Sequence, residues 1–109
     1  LVFAVNYGSR ADIAKAADSC LKEGKTAVTE QDIADHLSTK EYPEIDLMIR
    51  TSLDCRLSNF LLWELSYAEL YFTDKYWPEF DEEQLVLAIE EFNRRNRNFG
   101  GLKQENEDA

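Results

Sequence analysis

Ile45–Phe72 reads IDLMIRTSLDCRLSNFLLWELSYAELYF, and the fold is decided there. Ile45 to Ile49 is a short apolar run with the length and composition of a buried parallel strand. Arg50 follows where that strand ends. A polar loop then carries a second arginine, Arg56, and Ser58-Asn59 reads as the opening of an apolar helix with Leu61, Leu62, Trp63 and Leu65 turned to the core. Open α/β sheets bind ligands outside the carboxyl ends of their strands, and helix N-termini gather anions on free backbone N–H groups. Two arginines and a serine-led helix start at such a place predict a phosphate or carboxylate site.

A chain of 109 residues holds at most one small domain with one core. Its 44% hydrophobic and 12% aromatic content argues against disorder. A net charge of -10 argues against nucleic acid as a partner, because phosphate backbones are bound by basic faces. No apolar run reaches the roughly 20 residues of a membrane helix, and the start shows no signal-peptide pattern. Cys20 and Cys55 lack metal-ligand spacing and read as reduced thiols.

Working outward, LVFAV at Leu1–Val5 predicts a first strand and Asn6–Ser9 the turn after it. A parallel-type strand at the very start, with no initiator methionine, reads as part of something longer. Ala11–Glu23 predicts a helix with Ile13, Ala17, Cys20 and Leu21 on its inner face, stopped by Gly24. Thr29 predicts the cap of a second helix through the N–H of Asp32, with Ile33 and Leu37 inward and His36 as an ordinary exposed histidine. Tyr42-Pro43 ends it. Ala68–Phe72 predicts a short last strand, parallel or at an edge. Tyr67, Tyr71, Phe72, Tyr76, Trp77 and Phe80 concentrate aromatic surface suited to a core and a dimer interface. Asp81 starts the final helix, with Leu85, Ala88, Ile89 and Phe92 inward. Arg94, Arg95 and Arg97 suit its last turns, Gly100-Gly101 its end, and Lys103–Ala109 a polar tail.

The central stretch resembles the isoprenyl-diphosphate-binding segment of cis-prenyltransferases, the undecaprenyl and dehydrodolichyl diphosphate synthases. That family reads close to D-L-x-I-R-T-[SG]-G-E-x-R-[IL]-S-N-F-L-L-W-Q-x-[AS]-Y-x-E-[LF]-x-F. Leu53 and Asp54 stand where it has Gly-Glu, and Glu64 where it has Gln. Asn6-Tyr7-Gly8-Ser9-Arg10 resembles its N-Y-G-G-R, Trp77-Pro78-Glu79-Phe80 its W-P-D-F, and Asn93–Gly101 its terminal R-x-R-R-F-G-G. Asn98-Phe99-Gly100 replaces the family's R-F-G, with Arg97 one position earlier.

The resemblance implies an α/β fold, a mostly parallel sheet flanked by helices, of which this chain is the C-terminal half: residues 1–101, then a polar tail at 102–109. It implies condensation of isopentenyl diphosphate with an allylic diphosphate such as farnesyl diphosphate. Arg50, Arg56 and Ser58 would hold the isopentenyl diphosphate, and Glu69 would serve Mg²⁺. The D-G-N-G-R-W segment, with the family's key aspartate, is not in this sequence, so the chain alone is expected to be inactive. A homodimer or heterodimer and a cytoplasmic location follow from the same resemblance. Membrane contact would be peripheral at most, at the endoplasmic reticulum surface in a eukaryote. The alternatives are a non-catalytic partner subunit of a heteromeric enzyme, or an inactive truncated product.

Overall fold

The computed structural model describes residues 1–108, with side chains through residue 95. In order they form α1 (Ser9–Lys22), α2 (Glu30–His36), β1 (Leu47–Arg50), β2 (Glu69–Phe72), a 3-10 turn (Trp77–Glu79) and α3 (Glu82–Asp108). The chain divides into two compact units, Leu1–Ile45 with Arg56–Tyr67, and Asp46–Cys55 with Ala68–Ala109.

In the first unit α1 and α2 pack together. Gly24, at φ +90°, ends α1 by entering the left-handed region that glycine tolerates. Its N–H reaches the Leu21 carbonyl at 3.0 Å and the Lys25 N–H reaches the Cys20 carbonyl at 3.2 Å, closing the last turn in a Schellman motif. Thr29 caps α2 as its sequence predicts. The Asp32 N–H donates to Thr29 Oγ1, and the Thr29 N–H donates back to the Asp32 carboxylate, so the capping box is complete. The buried stripe of α1 is Ser9, Ala16 and Cys20, whereas Leu21 is exposed. Of the expected inner face, Cys20 is buried and Ile13 and Ala17 are partly so, and only Leu21 turns outward, while Ser9 and Ala16 join the buried side that faces α2 and the 56–67 segment. Leu37 and Leu65 complete this core.

His36 is half-buried and not the exposed histidine expected. Its Nδ1 lies 2.7 Å from the Asp32 carbonyl and its Nε2 lies 2.6 Å from a Glu23 carboxylate oxygen. A carbonyl and a carboxylate both accept, so this arrangement favours the protonated ring, in which both nitrogens donate. Cys20 Sγ, fully buried, sits 3.5 Å from the same Nδ1. Both cysteines are free thiols, as expected.

In the second unit β1 and β2 pair in parallel, Leu47 opposite Glu69 and Arg50 opposite Phe72. This agrees with the parallel sheet expected from the apolar run. Asp81 caps α3 by accepting from the Gln84 N–H at 3.1 Å. Met48 and Ala88 are buried, while Leu85 and Ile89 are more than 40% exposed. Two four-residue strands cover only a narrow strip of a helix, so the inner stripe expected for α3 is half open within this unit.

Three further expectations are corrected. Leu1–Val5 forms no strand, and Phe3 and Val5 are at least 80% exposed; a strand exists only through a ladder, and among the described residues none pairs with this run. Residues 58–65 form turns and not a helix, since Ser58, Asn59 and Leu61 all have positive φ. Finally, α3 passes through Gly100-Gly101 to Asp108. Two interior glycines cost about 2 kcal/mol, and the helix-favouring Leu-Lys-Gln-Glu that follows offsets part of it. The side chains of Arg97, Asn98 and Phe99 lie outside the described residues. Among the described residues no helix is long and apolar enough to cross a membrane.

Glu23 above all, then the Asp32 carbonyl, raises the His36 pKa above its ordinary value. Stability from this contact is full below the unfolded histidine value near 6.5 and is lost as pH climbs through the higher folded value. The melting temperature should therefore fall as pH rises above about 6.5, through the raised value of the folded histidine. His36→Gln should flatten that slope, and thermal unfolding followed by circular dichroism checks it; an unchanged slope contradicts the assignment.

Candidate functional site

Arg50 is the last residue of β1, and the Thr73 N–H donates to its carbonyl at 3.0 Å. The ladder thus fixes the backbone from which the guanidinium leaves. That side chain is only 28% exposed and meets Asp54 at 3.4 Å. The loop after it is pinned to the segment following β2: the Ser52 N–H donates to the Lys75 carbonyl at 2.9 Å and the Leu53 N–H to the Thr73 carbonyl at 3.2 Å. To make both bonds, Ser52 and Leu53 take φ +73° and +60°. Leu53 stands where the resembling family has glycine, and the left-handed backbone explains that glycine. A β-carbon there costs roughly 1–2 kcal/mol.

Glu69 opens β2. Its partner in the register is Leu47, three residues before Arg50. At about 3.3 Å per residue the two side chains leave the ladder about 10 Å apart along the strands and on opposite faces. The strand pair does not bring Arg50 and Glu69 together. Arg95 faces Glu69 at 3.6 Å, donates to the Leu70 carbonyl at 2.6 Å and bonds Glu91 at 2.9 Å. Arg94, then Arg95, holds the Glu91 carboxyl below its ordinary pKa. The last-turn role expected for Arg95 is thus replaced by a tie from α3 to the start of β2. No group of three candidate metal ligands occurs among the described residues.

Arg56 and Ser58 belong to the other unit, and both are exposed. They lead into a left-handed run, Ser58 at φ +50° and Asn59 at φ +64°. No helix starts there, so the expected dipole-based anion site at Ser58 is absent. The run instead docks on the start of α1. Gly8 is the N-cap of α1 and offers no side chain to it. Asn59 fills that role from 51 residues away in the sequence. Its carbonyl accepts from the Ser9 N–H and its Oδ1 accepts from the Arg10 N–H, each at 2.8 Å. In return the buried Ser9 Oγ accepts from the Leu62 N–H at 2.9 Å. The sequence reads Ser9 as part of a turn and Ser58 or Asn59 as the cap of a following helix. The available signal was an asparagine, a residue that tolerates the left-handed region and caps helices.

The same unit contains an unbalanced polar pair. Thr39 Oγ1 donates to Glu64 at 2.6 Å, but among the described residues the other, buried Glu64 oxygen has no hydrogen-bond partner, and the buried Tyr7 hydroxyl is held at most by weak contacts to Ser9 and the Leu61 backbone. Burial, then the nearby Glu64 charge, raises the Tyr7 pKa. Glutamine, which the resembling family has at position 64, would remove the buried charge.

A parallel strand pair with a helix packed on it, and a second unit of two further helices, make this an α/β protein. The comparisons with known proteins give the family. The undecaprenyl diphosphate synthase family model matches residues 1–100. The isoprenyl transferase of Fusobacterium nucleatum is 50% identical over 103 residues, covering 94% of this chain and 44% of that protein. A ditrans,polycis-undecaprenyl-diphosphate synthase, (2E,6E)-farnesyl-diphosphate specific, from Vibrio parahaemolyticus is 47% identical over 103 residues, covering 89% of the chain and 41% of the relative. Among solved structures, a probable undecaprenyl diphosphate synthase from Campylobacter jejuni superposes with a TM-score of 0.76 at 36% identity, over 89% of this chain and 45% of that one. Lavandulyl diphosphate synthase from Lavandula x intermedia, in complex with dimethylallyl diphosphate, gives 0.74 at 38% identity, over 82% and 41%. The chain belongs to the undecaprenyl diphosphate synthase family of prenyltransferases and carries part of its α/β fold. It spans less than half the length of the curated relatives it matches.

Leu53→Gly should stabilise the chain by on the order of 1 kcal/mol, because relief of left-handed strain exceeds the added entropy of the unfolded glycine. Leu53 is 66% exposed, so little burial is lost. Urea unfolding measures it, and a destabilised variant contradicts the strain.

Proposed function

We propose that this chain supplies the isopentenyl-diphosphate side of a cis-prenyltransferase that extends an allylic diphosphate, such as farnesyl diphosphate, into a cis-polyprenyl diphosphate. Arg50, Arg56 and Ser58 hold the diphosphate. The observation that carries this is the position of Arg50, fixed at the end of a parallel strand and followed within one loop by an exposed Arg-x-Ser. Arginine suits the task because its planar fork donates two parallel hydrogen bonds to phosphate oxygens. The reaction needs no covalent enzyme intermediate, so the residues act by positioning and charge stabilisation.

Glu69 suits Mg²⁺ in donor chemistry, since a hard cation takes carboxylate and phosphate oxygens. Arg95 already faces it, and the described residues hold no group of three ligands, so phosphate oxygens and water would supply the rest. When bound, the ion would neutralise diphosphate charge; no step of the proposal runs through it. The D-G-N-G-R-W segment is outside this sequence, so the chain alone binds and does not turn over. Pairing with a second subunit, identical or not, would use the exposed members of the aromatic concentration at 67–80, Tyr67 and Trp77 foremost.

Calorimetric titration with isopentenyl diphosphate tests the reading. The chain should bind it, and Arg50→Ala or Arg56→Ala should each weaken binding by about tenfold or more, the value of a charge-assisted hydrogen bond. Lysine at either position should restore only part of it. Binding indifferent to both arginines would leave a non-catalytic partner or an inactive product as the better account.

A further inference from the structure

We infer that Asn59 is a positioning residue for the diphosphate loop: by capping α1 it fixes the backbone that presents Arg56 and Ser58. This rests on the proposed role of those two residues and deepens it. Asn59 uses both its backbone carbonyl and its side-chain oxygen on the first two N–H groups of α1, at 2.8 Å each. The Ser9 hydroxyl holds the far side of the loop through the Leu62 N–H. Residues 59 to 62 are therefore tied to one helix end at three points, and Ser58, adjacent and also at positive φ, has little freedom left.

Two features show that the joint is fitted and not incidental. A β-carbon on Gly8 would stand 3.0 Å from the Asn59 amide nitrogen, tight enough to push that amide by a few tenths of an ångström, although the Gly8 backbone, at φ -140°, would accept any residue. Asn59 itself sits at φ +64°, where asparagine and aspartate are the side chains best tolerated. Asn59 is exposed, yet its functional groups face the helix end. Its contribution to binding is thus indirect, through the loop.

The test is the isopentenyl diphosphate titration, repeated on three variants whose helix content is first checked by circular dichroism. Asn59→Gly keeps the left-handed backbone without strain and deletes the side-chain cap. It should weaken binding by about tenfold, as expected when a binding group is displaced by a fraction of an ångström. Asn59→Asp keeps the accepting oxygen beside the positive end of α1 and should stay within about threefold of the unaltered chain. Gly8→Ala, which leaves every hydrogen-bonding group in place, should weaken binding several-fold in a folded protein, and so keeps the test open if Asn59→Gly does not fold. Folded Asn59→Gly and Gly8→Ala variants that bind as tightly as the unaltered chain overturn the inference while Arg56→Ala still confirms the site. No binding by the unaltered chain overturns the site reading, and this one with it.

Discussion

The first N–H groups of a helix have no acceptor within it, and in α1 Asn59 supplies acceptors for the first two. Gly8 cannot supply them, because it has no side chain. Much of the first unit follows from that constraint. The 56–67 segment approaches the helix end closely, Ser58, Asn59 and Leu61 take left-handed backbone, and the buried Ser9 returns a bond to Leu62. Such an end cap contributes about 1 kcal/mol. Its larger effect is to fix a loop carrying an arginine and a serine without any regular element of its own.

The second unit solves a related problem with a ladder. Arg50 leaves the last rung of a parallel pair, and the next turn is tied down by two backbone bonds to residues 73 and 75. The cost is two non-glycine residues at positive φ, one of them a leucine. Arg95 then joins α3 to the opening of β2 through the Leu70 carbonyl and Glu69. In both units the backbone that hydrogen bonds hold in an otherwise unfavourable conformation lies two or three residues after an arginine, Ser52–Leu53 after Arg50 and Ser58–Asn59 after Arg56. Strain of this kind is common where a protein grips a ligand.

What was legible in the residues was whatever depends on near neighbours. Thr29 and Asp32 announce a capping box, Gly24 a helix stop, Asp81 a helix start, and the apolar run before Arg50 a parallel strand. The motif of Arg50, Arg56 and Ser58 pointed to the family before any coordinates did. What was not legible depends on distant partners. Leu61, Leu62, Trp63 and Leu65 have helical spacing, but Ser58, Asn59 and Leu61 take left-handed backbone, and Asn59 is bound to the start of α1, 49 to 50 residues away. LVFAV has strand composition, yet composition does not provide a ladder. His36 looked solitary because its carboxylate lies 13 residues away on the end of α1.

Amide hydrogen exchange at Ser9, Arg10 and Leu62 tests the central claim most directly. All three N–H groups should exchange slowly and open together, since one joint holds them, and all three should slow further when isopentenyl diphosphate is added. Exchange at unstructured-peptide rates, or a Leu62 amide that opens independently of Ser9 and Arg10, would contradict the account.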